Sequence, residues 1–156
     1  MTTYRRVLAL VALNADAEAV ATRALQLSRS YNATLALAAV VDYSPGFECD
    51  HVPFMTPGQL RQATIRDVTE KLDALVDSIG ARGAEIIVAG GREKEAIDDI
   101  ARSWRPDLVL VGARAPHGLD RVADKAARAL PYDVLIVQNG RPSRVGRLIN
   151  ALSAAF

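Results

Sequence analysis

The stretch "RPDLVLVGARAPHGLDRVADKAARALPYDVLIVQ", Arg105 to Gln138, decides the fold. Its first part, "DLVLVG" (Asp107–Gly112), is an aliphatic run with no polar alternation, which reads as a strand buried on both faces. Leu119, Val122, Ala123, Ala126 and Leu130 then recur at helical spacing until Pro131 stops the pattern. A second aliphatic run, "DVLIVQ" (Asp133–Gln138), follows at once. A strand, a helix and a strand in that order require a crossover that leaves the two strands parallel.

The same unit repeats upstream. "RVLALVAL" (Arg6–Leu13), "ATLALAAVV" (Ala33–Val41) and "EIIVAG" (Glu85–Gly90) are further buried-strand runs. Helical stripes separate them: Val20, Ala24, Leu27 and Tyr31, with Asn14 or Asp16 placed to cap the start, and Ile97, Ile100, Ala101 and Trp104, ended by Pro106. The strongest stripe is Ile65, Val68, Leu72, Leu75, Val76 and Ile79, ended by Gly80 and Gly83. The alternation βαβαβαβαβ specifies a single doubly wound α/β domain, a five-stranded parallel sheet flanked by four helices.

Composition agrees. A chain of 156 residues holds one domain with a substantial core. Half of it is hydrophobic while only 5% is aromatic, so Ala, Val, Leu and Ile fill an interior of closely packed helices and sheet. A net charge of +1 supplies no field for steering nucleic acid or an anionic membrane. Cys49 is the sole cysteine, so no internal disulfide forms. The opening "MTTYRRVLALVALNADAEAV" carries Asn14, Asp16 and Glu18 too early for an export signal, and no segment approaches the ~20 apolar residues of a membrane span. A cytoplasmic location is expected.

Two segments stand outside the alternation. Asp42–Gly58, "DYSPGFECDHVPFMTPG", is read as irregular because of Pro45, Pro53 and Pro57. Residues 141–156 form an extension in which Val145, Leu148, Ile149, Leu152 and Phe156 make an amphipathic helical stripe, expected to dock on this subunit or a partner. "ECDH" (Glu48–His51), with His117, gathers possible metal ligands, but adjacent residues cannot all aim at one ion and no second spaced pair exists. No metal site is expected. Cys49 lacks an identifiable base and orienting carboxylate, no Gly-x-Ser-x-Gly elbow occurs, and Asp98 and Asp99 diverge as neighbours on a helix. The chain is therefore read as a binding domain, not an enzyme.

In an open doubly wound sheet, ligands settle at the carboxyl ends of the strands where the strand order reverses. "YRRVLALVALNADAEAVATRALQLSRSYNATLALAAVV", "GGREKEAIDDIARSWRPDLVLVGARA" and "PYDVLIVQ" together resemble the universal stress protein (UspA-type) family, over roughly Tyr4 to Gln138. The resemblance implies a Rossmann-like fold of the adenine nucleotide alpha hydrolase-like kind, with the family domain in residues 1–140 and the first and fourth strands adjacent. The ligand crevice would then draw on Ala12, Asn14, Val41, Gly112, Arg114, Ala115 and Lys125.

The family's ATP-binding branch places an Asp at the end of the first strand against adenine. Its fourth-strand loop reads Gly, two residues, Gly, nine residues, then Gly with Ser or Thr. Glycines let backbone N–H groups approach phosphate, and the hydroxyl adds a donor. Here the Asp position holds Ala12. Gly112 matches the first glycine, the second falls on Ala115, and the final pair falls on Lys125–Ala126. The resemblance thus implies a stress-response binding or regulatory module of the non-ATP-binding branch, with no cofactor. The alternative is an ATP-binding, weakly hydrolysing member with a phosphate loop rebuilt over Gly112–Gly118; a small enzyme of related architecture is more remote. The family's fifth strand pairs antiparallel with its copy, which implies a homodimer through Val134, Leu135, Ile136 and Val137. Independently, Val134–Val137 contains no Lys or Pro to blunt an exposed edge.

Overall fold

A computed structural model of the chain describes residues 3–13, 16–41, 56–113 and 131–138. Its elements are β1 (Arg6–Leu10), α1 (Ala17–Tyr31), β2 (Thr34–Val41), α2 (Pro57–Ile79), β3 (Glu85–Gly90), α3 (Glu93–Trp104), β4 (Leu108–Gly112) and β5 (Asp133–Val137). The strands form one sheet in the order β3-β2-β1-β4-β5, and every pairing is parallel. Val7 lies opposite Leu35 on one side and Leu108 on the other, so β1 is the central strand. The expected fold class is the observed one.

Both faces of the central strands are covered. Val7, Ala9, Leu35, Leu37, Leu108 and Leu110 point to the face shared by α1 and α2, where Val20, Ala24 and Leu72 complete the larger core. Leu8, Ala36, Ala38, Val109 and Val111 point to the opposite face and pack with Ile100 and Trp104 of α3. Successive residues of a strand face opposite ways, so a strand buried twice over is aliphatic at every position. Leu8, Leu37 and Leu110 are almost fully withdrawn from water, each worth about 1.5–3 kcal/mol. The edge strands depart from the expectation of burial on both faces: β3 and β5 are only half-buried, because each has a neighbour on one side alone.

The helices correct the sequence reading in three places. The buried face of α1 is Val20, Ala21, Ala24, Leu25 and Ser28, whereas Leu27 is half-buried and Tyr31 is exposed. Tyr31 instead meets Tyr4 edge-on, with ring centres 5.1 Å apart. Pro57 and Gly58, read as the end of an irregular segment, form the first turn of α2. Thr56 caps that turn: its Oγ1 accepts from Gln59 N at 3.2 Å while Gln59 Oε1 accepts from Thr56 N at 3.1 Å. Proline suits the first helical position, where its missing N–H has no partner to lose. Asp16 does occupy the N-cap position of α1, but its side chain makes no capping hydrogen bond. The fourth helical stripe, the remainder of the Asp42–Gly58 segment and the 141–156 extension lie outside the described residues.

The amino edge of the sheet is tied by polar contacts. Asp107 Oδ2 accepts from the backbone N–H groups of Arg5 and Arg6 at 2.8 and 2.9 Å. Arg6 donates through Nε to the Trp104 carbonyl at 2.7 Å, and its guanidinium lies 4.2 Å from the indole centre. Trp104 Nε1 in turn donates to Glu85 Oε2 at 2.8 Å. Trp104 is therefore core with a satisfied polar edge, as its place at the end of the α3 stripe implied.

Candidate functional site

The strand order reverses between β1 and β4, so a ligand crevice belongs at their carboxyl ends. Leu10 lies opposite Val111 at that end. Beyond them, Ala12 is half-buried and Leu13 is 42% exposed. Sequence reasoning thus brings Ala12 and Gly112 to one edge correctly. Val41 ends β2 on the same edge and accepts from Gly91 N at 3.0 Å; Gly91 has φ +125°, a backbone conformation that favours glycine. Asn14, Arg114, Ala115 and Lys125, together with Gly118, Cys49, His51 and His117, lie outside the described residues.

Gly112 is buried at the last position of β4, and its surroundings explain why no side chain stands there. A Cβ would come within 3.3 Å of Val20 Cγ2, 3.4 Å of Asp16 Cβ and 3.6 Å of Asp16 Oδ2. The first turn of α1 therefore rests directly on the end of β4. The next backbone donor, Ala113 N–H, is held by the Val137 carbonyl at 3.0 Å and extends the β4–β5 ladder. At this point the glycine serves close packing of helix on strand, and the following amide serves the sheet.

Asp16 holds the N-cap position that the sequence offers for it, but its side chain makes no capping hydrogen bond there. It is only 2% exposed, and its carboxylate faces the end of β4. The available signal was its spacing: Asp16, Val20 and Ala24 recur four apart, so they lie along one helical face, and that face is the buried one. With Glu18 also in the first turn, the positive end of α1 already has two carboxylates near it.

Other places for chemistry are sparse among the described residues. No group of three His, Cys, Asp or Glu side chains could hold a metal ion there. No described helix is long and apolar enough to cross a membrane. A groove of about 330 Å³ lies at the opposite, amino edge, between the end of α1 and the turn before β3, lined in part by Arg29 and Arg82. Both α1 and α2 point their carbonyl ends toward it, which opposes the attraction of the two arginines for an anion.

The comparisons with known proteins match this architecture. A relative described as universal stress protein A homolog 1, from Coxiella burnetii, is 26% identical over 138 residues, covering 86% of this chain and 96% of its own. Universal stress protein UspA from Lactobacillus plantarum superposes with a TM-score of 0.63 at 22% identity, over 88% of this chain and 99% of that one. A universal stress protein solved in complex with cAMP superposes at 0.59, also at 22% identity, over 88% and 98%. The model of the Universal stress protein family matches residues 3–138, and the chain belongs to that family.

Proposed function

We propose that this family member is a homodimeric stress-response binding or regulatory module that does not hold ATP between β1 and β4. The observation that carries the reading is the closure of Gly112 by α1, with Val20 Cγ2 only 3.3 Å from the position of a Cβ. The missing side chain at Gly112 makes room for α1, which supports a packing role for this glycine over a phosphate-cradling one. Two further observations support the reading. Ala12 offers no carboxylate to a purine, and Ala113 N–H is already bonded to Val137. Each missing buried hydrogen bond weakens binding by about 1–3 kcal/mol, enough together to turn a micromolar site into a millimolar one.

The second reading, a nucleotide-binding member with a loop rebuilt over Gly112–Gly118, is favoured by the relative solved with cAMP. Thermal unfolding with Mg-ATP separates the two. A micromolar site at a thousandfold excess of ligand adds about 4 kcal/mol, a rise of several degrees in Tm, whereas a millimolar site adds almost nothing. No rise is expected, and a saturable rise at micromolar nucleotide overturns the reading.

The homodimer is proposed through β5. It is an edge strand of the sheet, Ile136 is 39% exposed, and Val134, Leu135 and Val137 are half-buried. An apolar edge of this kind is normally covered or paired. Ile136→Lys is expected to shift the mass in solution from dimer toward monomer. An unchanged dimer in that variant removes β5 from the interface. Trimming the chain after Pro142 tests separately whether the extension contributes.

A further inference from the structure

We propose that the groove at the amino edge, between the end of α1 and the turn before β3, binds a small zwitterion of free amino-acid size. The groove lies at the opposite edge from Ala12 and Gly112, so this goes beyond the reading of the crevice there and does not rest on it.

Size and lining come first. At about 330 Å³ the groove stands near the lower end of small-ligand sites, which suits a ligand of a few heavy atoms. Its base is the side of the larger core: Leu25 of α1, Leu35 of β2 and Ala81 are buried there, with Ala33 and Ala84 half-buried beside them. An apolar base with a few polar groups around it is the usual make-up of a small-molecule site. Gly83, in the turn that forms one wall, has φ +87° and no described atom within 4 Å of a Cβ, so that side of the groove is open.

The rim carries both signs of charge. α1 ends at Tyr31 with Asn32 as its left-handed cap, and α2 ends at Ile79 with Gly80 in the same conformation. The carbonyl end of each helix amounts to about half a negative charge. Against them stand Arg29 and Arg82. One pairing is already made within the chain: Arg29 Nη2 donates to the Gly80 carbonyl at 3.2 Å, so the end of α2 has its cation. The end of α1 and the guanidinium of Arg82 are left for a ligand. Arg82 is exposed and, among the described residues, makes no ion pair or side-chain hydrogen bond. Its planar donors match a carboxylate, and the carbonyl end of α1 matches an ammonium. Asn32, exposed at the same rim, adds an amide that both donates and accepts. An anion alone is opposed by the carbonyl ends, and a cation alone by the arginines. A ligand carrying both charges is opposed by neither. Its carboxylate belongs at Arg82, its ammonium toward the end of α1, and its side chain over Leu25 and Leu35.

The experiment titrates the whole chain with leucine while the backbone amide resonances of Asn32, Ala33, Arg82, Gly83 and Ala84 are followed. Leucine at millimolar concentration is expected to shift these saturably and to leave Ala12 and Gly112 in place; a silent titration overturns the proposal. Isocaproate and isoamylamine keep the shape of leucine but each lacks one of its charges. Both are expected to bind at least tenfold more weakly than leucine, and a smaller gap for either overturns the proposal. Inorganic phosphate binding as tightly as leucine marks a plain anion site and overturns it too. Arg82→Gln changes an exposed side chain and is expected to weaken leucine at least tenfold, whereas undiminished binding overturns the assignment of the carboxylate. Nucleotide binding at the far edge, read at Ala12 and Gly112, bears on the proposed function and not on this groove.

Discussion

Adding a side chain at Gly112 tests whether that glycine serves packing or ligand. Two variants differ in how far they reach. Alanine places one carbon 3.3 Å from Val20 Cγ2 and 3.4 Å from Asp16 Cβ, so those neighbours must retreat by a few tenths of an ångström. Against that strain, loss of the glycine's freedom in the unfolded chain stabilises by about 0.4–1 kcal/mol. Gly112→Ala is therefore expected within about 1 kcal/mol of the parent. Valine extends about 1.5 Å further and cannot avoid both Val20 and Asp16 without shifting α1 or leaving its rotamer wells. Overpacking of this kind costs about 1–3 kcal/mol, and the rigidity of both neighbours puts Gly112→Val near the upper half of that range. For a chain of this size the Tm falls by about 4–12 °C. Urea unfolding at 25 °C measures the difference directly, with Gly58→Val as control, since no atom lies within 4 Å of a Cβ at Gly58. A Gly112→Val protein as stable as its parent refutes the packing argument, because it means that the space above β4 is open.

Three other perturbations follow from the geometry. Asp107→Ala removes the acceptor shared by the Arg5 and Arg6 amides and should cost about 1.5–3 kcal/mol in equilibrium unfolding. Thr56→Ala breaks the reciprocal cap of α2 and should cost about 0.5–2 kcal/mol, read in the same assay. The phenol of Tyr4 is held above its ordinary 10.0 chiefly because it donates to Asp133 at 2.7 Å, with burial adding, and burial with the nearby Asp98 raises Tyr132. The folded state thus favours the neutral phenols; their contribution is whole below pH 10 and is lost as pH climbs through the raised folded values. Tyr4→Phe should flatten part of the alkaline fall in stability, and an identical fall in both proteins contradicts the Tyr4 assignment.

The fold was legible because burial on both faces leaves an unmistakable aliphatic run. "DLVLVG" and "TLALAAVV" carry it, and the strand β3 was bounded correctly as Glu85–Gly90. Element ends were less legible. The aliphatic run continues to Leu13 although the strand stops at Leu10, since an apolar residue on an exposed rim looks the same in sequence as one inside. The start of α2 was written in Thr56, Pro57 and Gln59 as a capping box, but three prolines nearby suggested irregular chain.

The site was legible only in part. Ala12 and Gly112 could be placed together because the resemblance supplied the strand order, which periodicity does not contain. Asp16 stands at the N-cap position its type suggests, but its side chain lies on the buried face and does not cap the first turn. The four-residue spacing to Val20 and Ala24 points to the buried face, and the contact with Gly112 shows it. Meaning at this edge depends on which helix lies on which strand end, a tertiary fact carried by no single stretch.

The most direct measurement is a crystal structure of the protein grown with excess Mg-ATP. No nucleotide density is expected over Ala12 and Gly112, with Val20 and Asp16 still packed against the end of β4. Density for a triphosphate lying against those strands, with α1 drawn back to admit it, would show instead that this edge is a nucleotide site.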